Sequence, residues 1–182
     1  MFESPDMDAI DTAYYEIDST ASVPEFLAVS KLYARDVVEH YGLTASVSDL
    51  EWTVSKRAKR RAGAVSYRDG VPESVSLTWE FFETHGWEAT AETIRHELIH
   101  VHLLNERGDG SHGDRFRELA DELDTHVHCE RFAEPNWWIR CDACGTELVR
   151  YRRSKLVDEV DSYRCGACGG ELRAIENTER GR

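Results

Sequence analysis

Five consecutive residues, His96-Glu97-Leu98-Ile99-His100, constrain this chain more than any other feature. On an α-helix, residues four apart lie about 40° apart around the axis, so both imidazoles leave one face. Two neutral imidazole nitrogens at that spacing take two corners of a tetrahedral zinc site. Glu97, next to the first ligand, is then within reach of a metal-held water as general base. The flanks read as helix. Thr90 is placed as an N-cap, Ile94, Leu98, Val101 and Leu104 form an apolar stripe, and Gly108-Asp109-Gly110 stops the run. The competing reading is a helix with two solvent-facing histidines and an incidental glutamate. The motif points to the core of a zinc-dependent peptidase.

A catalytic zinc needs a third protein ligand and an open position for water. His102 projects about 200° around the helix from His100 and cannot share its metal, which leaves it half-buried or on the surface. His112 sits in the turn Gly110-Ser111-His112-Gly113-Asp114, from which the chain can double back. Phe116, Leu119, Ala120 and Leu123 then start a second amphipathic helix, with His126 and His128 at its far end. His112 is the expected third ligand, and Glu118 or Glu122, which would make a two-His-one-Glu site, are its competitors. His40 and His85 are assigned no chemistry.

Cys141-x-x-Cys144-Gly145 and Cys165-x-x-Cys168-Gly169 are two knuckles separated by twenty residues. Each wraps two thiolates around one metal, so the pattern reads as a structural zinc ribbon with four cysteine ligands. Paired disulfides are the alternative, but two-residue gaps make poor loops and no secretory leader is visible. Cys129 is left over as a reduced thiol without a role. Glu147–Arg153 and Val160–Arg164 read as two strands of the ribbon. The module and its lead-in also carry Trp137, Trp138, Arg140, Arg150, Tyr151, Arg152, Arg153, Lys155, Tyr163 and Arg164. Aromatics that stack on bases, interleaved with cations that meet phosphates, suit single-stranded nucleic acid. Equally, the tryptophans pack a tiny ribbon and the arginines form its solvated face.

His-Glu-Leu-Ile-His, a short Gly-rich insert and then Ser111-His112-Gly113-Asp114-Arg115-Phe116 resemble the SprT-like family, whose best-known members are the Spartan DNA-dependent metalloproteases. The resemblance runs from about residue 20 to 175 and includes the cysteine module. It implies His96, His100 and His112 as zinc ligands, Glu97 as catalytic acid/base, and a minimal zincin fold. It also implies two zinc ions, one catalytic and one structural. The same resemblance favours contact of the ribbon with single-stranded or junction DNA, for which the ribbon's own aromatic and cationic residues supply the candidates Trp137, Trp138, Arg150, Tyr151, Arg152, Arg153 and Tyr163. The substrates would be proteins held on DNA, covalent DNA–protein crosslinks among them. Spartan's long regulatory tail has no counterpart here, so recruitment by such a tail is not implied. Two other readings stand beside this one. The first is a nucleic-acid-binding zinc protein with an idle His-Glu-x-x-His site, and the second is a peptidase indifferent to DNA.

The net charge of −13 argues against a broad basic surface gripping DNA. The excess acid lies before the ribbon, since residues 136–182 hold nine Lys or Arg against eight Asp or Glu. Lysine is confined to Lys31, Lys56, Lys59 and Lys155. An acid-rich, lysine-poor surface suits the salt-rich cytoplasm of a halophilic archaeon. No apolar stretch is long enough to span a membrane, and a cytoplasmic monomer is expected.

The expected organisation is α+β. An acidic segment covers 1–20, a zincin-like catalytic domain 21–130, a linker 131–136, the ribbon 137–175 and a polar tail 176–182. Ser22-Val23-Pro24-Glu25 opens a helix with a capping box, and Gly42 ends it. Leu50–Val54, Ala62–Tyr67 and Val75–Trp79 read as strands, with Arg68-Asp69-Gly70 a hairpin turn. Pro72–Leu77 is the expected sheet edge beside the metal. The basic cluster Lys56, Arg57, Lys59, Arg60 and Arg61 reads as a solvated loop, with a second nucleic-acid contact as the alternative.

Overall fold

The computed structural model describes residues 10–15, 17–126 and 133–177. His128, Cys129 and Glu130 lie outside the described residues, as do Met1–Ala9 and the last five residues of the tail. The chain divides into two compact units, Met1–Phe132 and Ala133–Arg182, and the class is α+β. Among the described residues, no helix is long and apolar enough to cross a membrane.

In the first unit, helix α1 spans Val23–Tyr41. The expected capping box is present: the Glu25 amide donates to Ser22 Oγ and the Ser22 amide donates to Glu25 Oε2. Gly42, at φ 61°, terminates the helix through a bond from its amide to the Val38 carbonyl. Strands β1 (Glu51–Ser55), β2 (Gly63–Arg68) and β3 (Val71–Thr78) follow. Asp69 and Gly70, both at positive φ, turn the chain between β2 and β3, the two-residue hairpin that Asp-Gly favours.

The sheet order is β1-β3-β2, with β1 parallel and β2 antiparallel to β3. The expected edge, Pro72–Leu77, is therefore the central strand, and β2 takes the edge. Pro72 is accommodated because β1 pairs with β3 only from Ser74 onward, so its missing N–H falls beyond that ladder. Val75 and Leu77 alternate into the core with Trp52 of β1. They meet Phe26, Tyr33 and Val37 of α1 and the apolar stripe of α2, Trp79–Arg107.

Helix α2 begins directly after β3, eleven residues before the expected cap at Thr90. It is interrupted at Gly86, whose φ of 79° and ψ of −170° are not helical. Thr90 lies inside the helix and donates its hydroxyl to the Gly86 carbonyl at 2.9 Å, so it mends the break instead of capping. Gly108 ends α2, and α3 (Asp114–Glu122) packs Phe116, Leu119 and Ala120 into the same core.

The second unit is a three-stranded antiparallel sheet of order β5-β4-β6, built from β4 (Trp137–Cys141), β5 (Glu147–Arg150) and β6 (Leu172–Glu176). The strand expected over Glu147–Arg153 stops at Arg150. The one expected over Val160–Arg164 does not form. Lys155–Asp158 is a helical turn and Val160–Ser162 a 3-10 turn, with only an isolated bridge from Arg164 to Glu171. Val160 and Leu156 pack instead on a core of Ile139, Cys141, Cys165 and Leu172. Four buried side chains make a slight core, of the size that a metal normally supplements.

Candidate metal centre

Helix α2 carries His96 and His100 one turn apart, and the turn before α3 brings His112 onto them. Their Nε2 atoms form a triangle with edges of 3.1 Å (His96–His100), 3.2 Å (His96–His112) and 3.0 Å (His100–His112). A tetrahedral zinc at about 2.05 Å from each nitrogen requires edges of roughly 3.3 Å, so this donor set fits the ion. Glu118 and Glu122, the competitors for third ligand, are not in the cluster. Glu118 pairs with Arg115 at 2.9 Å, and both glutamates are exposed.

Phe116, fully buried, underlies all three imidazoles, with ring centroids 4.9, 4.7 and 4.5 Å from His96, His100 and His112. Burial drives the His100 imidazole down to about 3, with the other two histidines adding to the effect, so its nitrogens are neutral and available as donors. The Nδ1–H of His96 donates to the His126 carbonyl at 2.8 Å, which leaves Nε2 unprotonated toward the triangle. His102, expected half-buried or on the surface, is instead buried on the other side of α2, where Nδ1 accepts from the Thr44 amide at 2.9 Å.

Glu97 is buried, and that burial raises its carboxyl to about 8, against opposing contributions from Arg61 and from the Val65 backbone. Gly63 of β2 rests directly on it: a Cβ there would lie 2.7 Å from Glu97 Oε1. The triad and Glu97 line a cleft of about 660 Å³. Its walls include β2 from Gly63 to Val65, the half-buried Glu92 and Thr93, and Phe81. His85, assigned no chemistry above, also lines it while stacking on Phe81 at 4.8 Å.

The basic cluster is split. Lys59 pairs with Glu80 and Lys56 lies 6.0 Å over the Trp79 ring, whereas Arg60 and Arg61 line the cleft. Spacing alone did not flag Gly63, Val65, Glu92 or the His126 carbonyl, because each acts across a contact distant in sequence. Phe116 was visible as part of an amphipathic helix and of the His-Gly-x-x-Phe context, but not as a ring beneath all three imidazoles.

In the ribbon, Cys141, Cys144, Cys165 and Cys168 converge, with Sγ···Sγ distances of 3.5 Å (Cys141–Cys168) and 3.6 Å (Cys144–Cys165). Tetrahedral Zn–S bonds of about 2.3 Å require roughly 3.75 Å, so the four sulfurs fit a zinc with a slight expansion. Gly145 and Gly169, at φ 73° and 72°, close the two knuckles with bonds from their amides to the Cys141 and Cys165 carbonyls. The Thr146 hydroxyl and backbone beside Cys144 bring its thiol down to about 6, toward the thiolate a metal needs.

The seven nucleic-acid candidates do not share one face. Trp137 and Arg150 register together on the side of Ile139, whereas Trp138 lies on the opposite side with Val149 and Ile175. Tyr151, Arg152 and Arg153 lie beyond the end of β5, with Arg153 paired to Asp158 at 2.6 Å, and Tyr163 follows the 3-10 turn.

Comparison with known proteins places the chain in a family. The SprT-like family model matches residues 30–135. A "Protein SprT-like" of Streptococcus sanguinis is 31% identical over 146 residues, covering 75% of this chain and 96% of that protein. Namesakes in Streptococcus suis (33% over 122 residues, 65% and 80% covered) and Bacillus cereus (32% over 111 residues, 58% and 70% covered) are also similar. With a matched stretch running from within α1 to just past α3 and enclosing all three histidines, the chain belongs to the SprT-like family.

Proposed function

We propose that the chain is a zinc metalloendopeptidase with a minimal zincin fold, acting on proteins associated with DNA, covalent DNA–protein crosslinks among them. The observation that carries the peptidase reading is the buried Glu97 carboxyl set beside three converging Nε2 atoms at the bottom of an open cleft. A purely structural site has no use for a carboxyl group there.

His96, His100 and His112 would hold the metal, which when bound supplies Lewis acidity to a carbonyl and lowers the pKa of water. Every other part falls to the chain itself. Glu97 accepts the proton of the attacking water and returns it to the departing amine. Its raised pKa marks a carboxyl group poised to hold a proton, and a cation alongside favours the ionised form needed at the start. Gly63 lets β2 lie against the carboxyl group of Glu97. The substrate chain adds along the free edge of β2 and so presents a peptide bond to Glu97.

The DNA side of the proposal draws on the family and on the ribbon. Across its sheet, Val149, Trp138 and Ile175 form one row, and Glu147, Arg140 and Arg173 the next. Trp138 offers a stacking surface beside two arginines, which a phosphate would draw from their partners Glu147 and Asp142.

The test is cleavage of a DNA-bound protein by zinc-loaded enzyme in high salt, with wild type and Glu97→Gln run with and without single-stranded DNA. Cleavage that needs both Glu97 and DNA is the expected result. Cleavage that needs Glu97 alone keeps the peptidase and removes DNA. No cleavage by zinc-replete wild type favours a binding module.

A further inference from the structure

Glu92, one helical turn before His96, has no place in the chemistry above, yet it organises the segment that touches His96 from behind. After α3 the chain bends at Asp124, whose φ of 47° is unusual for a residue other than glycine. The Thr125 amide donates to the Ala120 carbonyl at 2.9 Å. From there the turn is strapped to α2. Thr125 Oγ1 donates to the Glu92 carbonyl at 3.0 Å, and the His126 amide donates to Glu92 Oε1 at 3.0 Å. The His126 ring, through Nδ1, meets that same oxygen. Arg95 joins from α2 as well, its Nη2 donating to the Asp124 carbonyl and its Nη1 to the Tyr33 hydroxyl, each at 2.6 Å. The result is a His126 carbonyl set 2.8 Å from His96 Nδ1.

A carbonyl only accepts, so the proton of His96 must sit on Nδ1, and the lone pair of Nε2 faces the other two ligands. We propose that Glu92 is a positioning residue for the metal centre: by holding the Asp124–His126 turn, it places the backbone carbonyl that fixes the tautomer and ring orientation of His96. This rests on the reading of the three histidines as a zinc site. Glu92 itself donates no ligand; it also borders the cleft, so zinc affinity and the His96 tautomer, which a substrate contact alone would not move, are the deciding readouts. A partner that orients a ligand through its second nitrogen changes metal affinity by roughly 10–100-fold when lost.

The experiment uses the full chain and two readouts besides activity. One is zinc affinity at the histidine site, by competition with a chelator once the tighter four-cysteine site is filled. The other is the tautomer and hydrogen bonding of His96, from long-range 1H–15N correlation of the imidazoles. In Glu92→Ala, zinc binding at the histidine site should weaken by about 10–100-fold and the His96 Nδ1–H signal should lose its hydrogen-bonded position. Glu92→Gln keeps an oxygen that accepts the His126 amide, and should recover most of the affinity. A residue that serves stability alone would lower the melting temperature and leave both readouts in place. Glu92→Ala that binds zinc within about twofold of wild type, with His96 unchanged, overturns the proposal. Wild type that takes up one zinc instead of two overturns it differently, by removing the metal centre on which it rests.

Discussion

Gly63 lies so close to Glu97 that a Cβ built on it falls 2.7 Å from Glu97 Oε1 and 2.9 Å from its Cγ. Real Cβ atoms do not approach so near, so the edge strand β2 and helix α2 touch through a position that only glycine fills. The third neighbour, Thr93 Cγ2 at 2.8 Å, closes the other side. Gly63→Ala must therefore push Glu97 or β2 aside. A shift of around 1 Å in a reacting group costs up to about 100-fold in rate. The variant should keep its zinc and lose at least about tenfold in kcat, measured alongside metal content. Full activity in Gly63→Ala would show that the contact does not position Glu97.

Glu97 also makes a pH prediction for the zinc-free protein. Burial raises its carboxyl from the ordinary 4.5 to about 8, so between those values the folded chain holds a proton that the unfolded chain has released. The stability that protonated Glu97 contributes is complete below about pH 4.5 and is lost as the pH rises through about 8. Glutamine mimics the protonated form at every pH. Glu97→Gln should match wild type near pH 4.5 and be more stable by on the order of 4 kcal/mol at pH 8, while its peptidase activity is gone. Thermal melts of both proteins without zinc across that range provide the check, and parallel pH profiles would refute it.

What was legible in the sequence was local. The helix with His96 and His100, the capping box at Ser22 and the Asp69-Gly70 turn all depend on neighbours within a few residues. What was hidden was pairing. Pro72–Leu77 was expected at the edge, but strand order is decided by β1 pairing on the far side of β3, and no local pattern encodes that. Val160–Arg164 carries the β-prone side chains of Val160 and Tyr163, yet these are three residues apart, Val160 is drawn into the ribbon core by Ile139 and its neighbours, and the backbone turns instead. The hold on His96 was invisible because a main-chain carbonyl 30 residues away has no residue type to betray it.

Phe116 touches every imidazole of the triad, which makes it both core and support. Phe116→Ala should cost about 3–5 kcal/mol and release the metal. Phe116→Leu is more telling, since it keeps apolar volume and removes the flat ring. It should unfold near the wild-type temperature but bind zinc at the histidine site at least about tenfold more weakly. Unchanged affinity in the leucine variant would reduce Phe116 to packing alone.

The ribbon should depend on its metal. Its buried core is Ile139, Cys141, Cys165 and Leu172, two of them ligands by this reading. Cys165→Ser, or a strong chelator, should abolish the near-ultraviolet signal of Trp137 and Trp138. Gly170→Ala attacks the same point sterically, because its Cβ would lie 2.7 Å from that of Ala143 and 3.0 Å from Cys141 Sγ. In the Cys165→Ser variant the first unit should retain its own cooperative melt. Tryptophan signals that survive full zinc removal would mean the ribbon folds without metal.

Salt should stabilise the first unit. Apart from the half-buried Lys59–Glu80, its ion pairs such as Arg68–Glu73, Arg115–Glu118 and Arg117–Asp114 are largely exposed, so each of these contributes at most about 1 kcal/mol, and screening them costs little. The repulsion within a chain of net charge −13 is spread over many carboxylates and falls as the Debye length shrinks to about 3 Å near 1 M salt. The larger, distributed effect wins over the smaller paired one. Denaturation by urea at increasing potassium chloride should move to higher midpoints, and charge-neutralising substitutions on the acidic surface should flatten the trend. A midpoint highest in dilute buffer would show that the ion pairs outweigh the repulsion and that the acidic surface is no adaptation to salt.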